Sequence, residues 1–284
     1  MRVLVLGASG MLGNAVLRLF ADSKGFTTVG TVRSARSARL LPSALQPLLL
    51  AGADVDNPDS LLEVFGRARP QVVINCIGLV KQLSAAKDPL STIPINSLLP
   101  HRLARLCSVA GARLVHMSTD CVFSGEKGMY VESDSPDATD LYGRSKLLGE
   151  VDYDNAITLR TSIIGHELDA AHSLVGWFLA QQGSTKGFRR AIFSGLPTVE
   201  IARIIRDFVI PRPSAHGLYH VSAEAINKFD LLKLLADEYR KEILVEPADD
   251  LVIDRSLDSR RFRAEFGYSP APWPELVRRM RSFG

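Results

Sequence analysis

Residues 2–13, RVLVLGASGMLG, carry the pattern that decides the fold. The apolar run Arg2–Leu6 is typical of a strand buried on both faces, and the glycine-rich turn after it leads into the helical pattern AVLRLF. Gly7 permits a tight turn, Gly10 lets a phosphate approach the backbone, and Gly13 lets the helix pack closely on the strand. A plain glycine-rich turn has the same composition, but the strand–turn–helix context favours a dinucleotide site at the helix N-terminus.

The rest of the first 165 residues repeats this alternation of strand and helix. Further strands are predicted at Phe26–Val32, Leu48–Val55, Gln71–Gly78, Ala112–Thr119 and Ala156–Gly165. Helices are predicted at Pro58–Arg67, at Thr92–Gly111 and within Asp140–Glu150. The alternation predicts an α/β fold, a Rossmann-type doubly wound parallel sheet.

Beyond Gly165 the alternation gives way to shorter and less regular segments. A helix is predicted at His172–Gln182, followed by a glycine-broken stretch, and Lys228–Lys241 is strongly helical. We therefore expect a Rossmann domain over residues 1–165, which holds the dinucleotide, and a smaller C-terminal α/β substrate-binding lobe over residues 166–284. Segments of the smaller lobe can return to the Rossmann domain.

The end of the second predicted strand indicates which dinucleotide is bound. In NAD-binding units an Asp or Glu at this point binds the ribose 2′-hydroxyl. Here Thr31 occupies the region and Arg33 follows, with Arg36 and Arg39 close behind. A guanidinium without an acid suits a 2′-phosphate, so the sequence favours NADP(H) over NAD(H), although Arg33 can also be read as a solvated loop charge.

Two later segments carry groups that can move a proton. The fifth strand runs into Ser118, Thr119 and Asp120, at the sheet edge where ligands bind. In DLYGRSKLLGE, residues 140–150, Tyr142 and Lys146 share a helix face. An ammonium beside a phenol favours the phenolate and should lower the tyrosine pKa. The pair alone also fits a solvated helix face, but Thr119 and Tyr142 together can polarise and protonate a ketone that lies over a reduced nicotinamide.

The motifs together resemble the extended short-chain dehydrogenases/reductases, and within them the dTDP-4-dehydrorhamnose reductase family. The resemblance is carried by GASGMLG, INCIG, HMSTDCVFSG, YGRSKLLGE, LRTSIIG, GLYHVSA and DRSLDSRRF. It implies that Thr119, Tyr142 and Lys146 are the catalytic set. It also implies NADPH-dependent reduction of the 4-keto group of a nucleotide-linked 6-deoxysugar, an activity of dTDP-rhamnose and polysaccharide biosynthesis.

The same resemblance implies the ligand contacts. Gly7, Gly10, Met11 and Leu12 would line the pyrophosphate, Asp54 and Val55 the adenine, Cys76, Ile77 and Gly78 the ribose side, and Thr161, Ser162 and Ile163 the nicotinamide. Ser118, Tyr142 and Lys146 complete the expected cofactor set, together with Arg33. The candidate substrate residues are Lys81, Asp120 and Arg255, the last because a sugar nucleotide's diphosphate needs a cation.

Other activities of related folds stay open to different degrees. Nucleotide-sugar dehydratases carry Asp-Glu after the threonine, since elimination of water needs another acid/base pair, whereas Asp120 is followed here by Cys121. An epimerase that retains its cofactor is one alternative. A non-catalytic NADP-binding regulatory subunit, similar to the methionine adenosyltransferase β subunit, is the other.

Composition and length limit the remaining possibilities. With 284 residues and a net charge of +3, the chain is typical of an enzyme that binds neither nucleic acid nor membrane. No apolar run reaches about 20 residues, and no leader sequence is expected before the first strand. Three cysteines without metal-like spacing indicate a reduced, cytoplasmic protein without a metal site. We expect His220 on a strand near the surface and Trp177 in apolar packing, and a homodimer is compatible with the sequence.

Overall fold

The computed structural model of the protein describes residues 1–81, 84–169 and 173–284. The strands are β1 (Arg2–Leu6), β2 (Thr27–Val32), β3 (Leu49–Ala51), β4 (Val72–Asn75), β5 (Arg113–Thr119), β6 (Ala156–Thr161), β7 (Ile163–Ile164), β8 (Ser184–Phe188), β9 (Ala191–Phe193), β10 (Leu196–Pro197), β11 (Gly217–His220), β12 (Ile226–Asn227), β13 (Leu244–Ala248) and β14 (Ile253–Asp254).

The α-helices are α1 (Met11–Ala21), α2 (Ala35–Ala38), α3 (Pro58–Ala68), α4 (Pro89–Thr92), α5 (Leu99–Ala110), α6 (Leu141–Leu148), α7 (Leu174–Ala180), α8 (Thr198–Ile204), α9 (Lys228–Tyr239), α10 (Arg260–Phe266) and α11 (Trp273–Phe283). Short 3₁₀ segments lie at Ser43–Leu48, Ser84–Lys87 and Asp120–Val122, and π-helical segments at Ile93–Leu98 and Ile205–Val209.

The main sheet has seven strands in the order β3-β2-β1-β4-β5-β6-β11, and every pair in it is parallel. The first six follow the order of a doubly wound dinucleotide-binding fold, which confirms the fold predicted from the sequence. The carboxyl ends of β1, β4, β5 and β6 therefore meet at one edge.

Alternation along the central strands divides the core between the two faces of the sheet. Val3 and Val5 of β1 contribute to one apolar cluster, while Leu4 and Leu6 contribute to another. On the first face the strands pack against residues of α1, α8, α9 and α11, and on the second against residues of α3 and α5. Helices on both faces explain why the strand sequences are almost uniformly apolar.

Residues beyond Gly165 form three small sheets, one of them with β7, and complete the main sheet. The small sheets are β7-β10, β12-β9-β14 and β8-β13. By contrast, β11 pairs with β6 from Gly217↔Ile157 to His220↔Arg160, so a segment of the C-terminal part returns to the main sheet. Met11 and Thr198, at the starts of α1 and α8, both lie close to Gly165.

Several elements are shorter than the sequence patterns suggested. β3 ends at Ala51 because Gly52 follows with a φ of 84°. The sixth predicted strand is interrupted after Thr161, and its continuation, β7, pairs with β10 instead. The helix expected from His172 is described from Leu174, and His172 itself lies outside the described residues.

Candidate active site

The glycine turn between β1 and α1 has no room for a side chain at two positions. Gly7 has a φ of 80°, and a Cβ at Gly13 would lie 2.0 Å from the Gly7 carbonyl oxygen. The Gly7 N–H donates to Thr31 Oγ1 at 3.2 Å, and the Gly10 N–H donates to the Gly7 carbonyl at 3.0 Å. The closed turn presents the first N–H groups of α1 at the carboxyl edge of the sheet. These groups lack intrahelical acceptors and can bind phosphate oxygens.

The end of β2 carries a cation rather than an acid. Thr31 is buried and is engaged with the glycine turn, while Arg33 is exposed just after the strand. Asp54, after β3, is exposed and accepts a hydrogen bond from the Asp56 N–H at 3.0 Å. Val55 is half-buried against the apolar cluster of α3 and α5. An exposed cation therefore follows β2, and an exposed acid follows β3.

The segment Cys76–Gly78 follows β4 and is held by two asparagines. The Ile77 N–H donates to Asn75 Oδ1 at 3.1 Å. Asn96, fully buried in the π-helical segment, accepts from the Leu79 N–H at 2.9 Å and donates to the Leu79 carbonyl at 3.1 Å. Its amide also donates to Ser145 Oγ on α6 at 3.2 Å, so one side chain joins the loop after β4 to the helix that carries Tyr142.

The end of β5 turns sharply at Thr119. Its hydroxyl accepts from the Cys121 N–H at 3.1 Å and donates to Asp120 Oδ1 at 3.1 Å. The Asp120 carboxyl is buried, and this burial raises its pKa despite the nearby Arg255 charge and hydrogen bonding with Ser162. Burial likewise raises the pKa of the Cys121 thiol to about 12, so the thiol is protonated at neutral pH.

The helix α6 brings Tyr142 and Lys146 to this turn. Asp140 caps the helix by accepting from the Gly143 N–H at 2.9 Å. Lys146 is buried, and its Nζ donates to the Met117 carbonyl of β5 at 2.7 Å. Tyr142 is half-buried and interacts with Thr119. The structure therefore brings together the hydroxyl, phenol and ammonium groups that the sequence selected.

The protonation state of Tyr142 differs from the expectation. Burial is the main cause that raises the phenol pKa, and the charges of Cys121 and Asp120 add to it, whereas hydrogen bonding from Thr119 lowers it. The predicted lowering by the ammonium is wrong for this arrangement, since Lys146 is directed to the Met117 carbonyl. Burial also lowers the pKa of Lys146 to about 8. The phenol is therefore held in its protonated form.

Two cations from segments beyond Gly165 lie near the turn at Thr119. Arg255, directly after β14, donates from Nε to the Phe123 carbonyl at 2.8 Å and from Nη1 to Cys121 Sγ at 3.9 Å. Lys228, the first residue of α9, is partly buried, and burial lowers its pKa while the charge of Asp120 raises it. Within the part of the chain that the structure describes, its ammonium has no hydrogen-bond or ion-pair partner. Lys228 was not predicted from the sequence, because its electrostatic interactions with Asp120 and Cys121 link segments that are distant in the chain.

Lys81, the remaining substrate candidate, lies on the loop after β4. Its ammonium pairs with Asp140 Oδ2 at 2.8 Å, and both side chains are partly exposed. It thus contacts the N-terminal cap of α6.

The sequence also did not predict the buried ion pair between Glu150 and Arg160. Glu150 and Arg160 are joined at 2.6 Å, with only 3% of the Arg160 side chain exposed.

His220, expected near the surface, is fully buried on β11, and that expectation is wrong. Its Nδ1 bonds with the Tyr130 carbonyl and its Nε2 lies 3.2 Å from Arg160 Nη1. Burial lowers the pKa of His220 to about 4, so it is neutral.

Two kinds of feature are absent from residues 1–81, 84–169 and 173–284. No helix in these ranges is long and apolar enough to cross a membrane. No group of three His, Cys, Asp or Glu side chains in them could hold a metal ion.

The parallel sheet, the glycine turn and the group formed by Thr119, Tyr142 and Lys146 define an extended short-chain dehydrogenase/reductase. The model of one family, described as the RmlD substrate binding domain, matches residues 1–282, and the chain belongs to that family.

Three relatives are similar to the chain in sequence. The chain is 31% identical to the probable low-salt glycan biosynthesis reductase Agl14 of Haloferax volcanii, over 62% of this chain and 58% of the relative. It is 29% identical to the dTDP-4-dehydrorhamnose reductase of Burkholderia thailandensis, over 80% and 68% respectively. It is also 29% identical to the methionine adenosyltransferase 2 subunit beta of Mus musculus, over 84% and 72%. The chain spans less than two thirds of the Haloferax protein.

The fold itself agrees with a solved structure in the family. The dTDP-4-dehydrorhamnose reductase of Bacillus anthracis, in complex with NADP, superposes with a TM-score of 0.78 at 22% identity, over 99% of this chain and 97% of that one. This similarity extends over both the main sheet and the small sheets.

Proposed function

We propose that the protein reduces the 4-keto group of a nucleotide-linked 6-deoxysugar with NADPH. The observation that carries the proposal is the meeting of the Thr119 and Tyr142 hydroxyls beside the buried Lys146, at the sheet edge that also bears the glycine turn. The name of the Burkholderia relative, dTDP-4-dehydrorhamnose reductase, supports the same reaction.

The residues at the glycine turn fit a dinucleotide. A Cβ at Gly13 would collide with the turn, and the first N–H groups of α1 have no intrahelical acceptor, which suits a pyrophosphate. When bound, NADPH supplies the hydride. Arg33 suits the 2′-phosphate, and the Bacillus relative is in complex with NADP, so we include a preference for NADP(H) over NAD(H) in the proposal.

In the proposed reaction the side chains of the site have separate roles. Tyr142, kept protonated by burial, donates its proton to the carbonyl oxygen as negative charge develops there. The Thr119 hydroxyl polarises the same oxygen, and Lys146 binds the nicotinamide ribose. Lys228 and Arg255 in the proposed substrate-binding lobe, residues 166–284, face the anionic part of the sugar nucleotide.

Monitoring NADPH oxidation against a small panel of nucleotide-linked 4-keto-6-deoxysugars tests the reaction. We expect stoichiometric NADPH consumption with at least one of them. If no member is reduced and nicotinamide instead stays bound through dialysis, the result contradicts a reductase and favours a cofactor-retaining epimerase or a non-catalytic NADP-binding subunit.

The cofactor preference has its own test. Arg33→Ala should raise the KM for NADPH about tenfold, the effect of losing one charge-assisted contact, and leave the KM for NADH unchanged. Arg67→Ala, an exposed arginine on α3, is the matched control. An equal change for both cofactors would remove Arg33 from 2′-phosphate recognition.

The similarity to the mouse methionine adenosyltransferase 2 subunit beta favours a second candidate, a non-catalytic NADP-binding regulatory subunit. Affinity purification from the native cell distinguishes it: a stoichiometric larger enzyme, together with no ketone reduction by the isolated protein, would support the regulatory role.

A further inference from the structure

Three consecutive residues of β5 are held by α6 and by Glu150, which follows the helix. Lys146 Nζ donates to the carbonyl of Met117, and Ser118 Oγ donates to Glu150 Oε1 at 2.6 Å. The next residue is Thr119, whose hydroxyl interacts with Tyr142 on the same helix. The end of β5 therefore uses one backbone carbonyl and two side-chain hydroxyls to contact residues 142–150. Glu150, four residues after Lys146, forms the last of these contacts.

The Glu150 carboxylate is itself fixed from the other side. Arg160 on β6 donates from Nε to Oε1 at 2.7 Å and from Nη2 to Oε2 at 2.6 Å, a bidentate arrangement. Arg160 in turn lies over the Phe123 ring at 5.2 Å and beside His220. Only 11% of the Glu150 side chain is exposed, so its charge is weakly screened by solvent.

We propose that Glu150 is a positioning residue that, through Ser118 and Arg160, fixes the end of the catalytic helix on β5 and holds Lys146 in its charged form. This inference rests on the proposed function, in which the Lys146 ammonium binds the nicotinamide ribose. Lys146 and Glu150 bond to consecutive residues of β5, Met117 and Ser118, so the carboxylate lies near the ammonium. It favours the ammonium over the amine, because it offsets part of the cost of burying the charge.

The other titratable groups around Lys146 do not take this role. His116 on β5 is fully buried and neutral, since burial and the Lys146 charge both lower its pKa. Asp120 and Cys121, from the turn that packs against α6, act on Tyr142. Lys87, in the 3₁₀ segment packed on the other side of α6, is exposed. The π-helical segment contributes Asn96 and Ser97, which carry no charge.

The test measures the protonation of Lys146 directly. In protein labelled with ¹³C-lysine, the Cε resonance that is missing from a Lys146→Arg sample gives the titration midpoint. For the wild type we expect a midpoint near 8. Glu150→Gln keeps the shape of the side chain but removes its charge, and should lower the midpoint by about one pH unit.

Two further variants keep the test decisive. The double variant Glu150→Gln/Arg160→Met removes both charges and leaves no unpaired guanidinium, so it decides the matter if the single variant does not fold. Glu200→Gln is the matched control, because Glu200 also forms a buried ion pair, with Arg279 at 2.9 Å, but on α8 and away from Lys146. Its midpoint should equal that of the wild type.

Turnover supplies a second readout that a merely structural role would not change. Above the midpoint, a pKa lower by one unit reduces the ammonium fraction about tenfold, so the Glu150→Gln variant should lose about tenfold in kcat/KM at pH 9 and much less at pH 6.5. An unchanged midpoint in a folded Glu150 variant would overturn the proposal. If the wild type reduces no ketone, the proposed function fails, while the titration midpoint still decides the role of Glu150.

Discussion

The two sides of the candidate active site are built in different ways. The catalytic wall, formed by Thr119, Tyr142 and Lys146, belongs to the main sheet and α6, and buried hydrogen bonds hold its members. The outer wall, formed by Lys228 and Arg255, comes from α9 and from the residue after β14. Lys228 there has no partner in the described ranges, and Arg255 keeps only weak or backbone contacts. The comparison supports our proposal that one wall is preorganised for chemistry, whereas the other holds charge ready for an anion.

Removing the proton donor from the catalytic wall should have the largest effect. Tyr142→Phe is expected to lower kcat by about 10²–10⁴-fold, the usual contribution of general acid catalysis. NADPH binding, followed by fluorescence titration, should change little because the ring remains. Normal turnover in this variant would remove Tyr142 from the mechanism and with it the contrast between the walls.

A substitution in the glycine turn, at the same sheet edge as the catalytic wall, should have the next largest effect. Gly13→Ala places a Cβ 2.0 Å from a backbone oxygen and should lower the free energy of unfolding by about 3 kcal/mol. The control is Gly66→Ala in α3, where a Cβ meets no atom within 4 Å, and which should stabilise by about 0.5–1 kcal/mol. Urea unfolding measures both; equal effects would mean that the turn is not tightly packed.

The outer wall should affect binding rather than chemistry. Lys228→Gln is expected to raise the KM for the sugar nucleotide about tenfold, with a smaller change in kcat, since a charge-assisted contact is lost. Lys233→Gln, an exposed lysine on the same helix, should leave both constants unchanged. A loss confined to kcat would place Lys228 in the catalytic wall instead.

The smallest effect is expected at Lys81. Its ion pair with Asp140 is partly exposed, so Lys81→Met should change the free energy of unfolding by less than about 1 kcal/mol. Its effect on the KM for the sugar nucleotide should be smaller than that of Lys228→Gln. A larger rise in KM would show that Lys81 leaves Asp140 to bind the substrate.

Most of the fold and the residues of the catalytic wall could be predicted from local patterns in the sequence. The glycine turn, the strand end at Thr119 and the Tyr142–Lys146 spacing are each contained in a few consecutive residues. The order of strands then brings them to one edge, because parallel strands all end on the same side.

Contacts between distant segments could not be predicted in this way. Lys228 interacts electrostatically with Asp120 only through the tertiary fold, and the ion pair between Glu150 and Arg160 forms only when the segment after α6 packs beside β6. We expected His220 near the surface because the sequence GLYHVSA does not indicate its buried contact with the Tyr130 carbonyl. Trp177, expected in apolar packing, is 38% exposed on α7, and that expectation of burial is wrong. The Tyr142 pKa depended on where the Lys146 amine points, which spacing does not specify.

The pairing of β11 with β6 has a consequence for how the protein is made. Every residue of β6 is buried, yet its second neighbour is not translated until residue 220. During synthesis the ribosome therefore exposes an unpaired apolar strand edge for as long as the intervening residues take to emerge, and such an edge can recruit other chains. We expect nascent chains stalled after β6 has left the ribosomal tunnel, but before β11 has been made, to need a chaperone, which ribosome-bound crosslinking can detect.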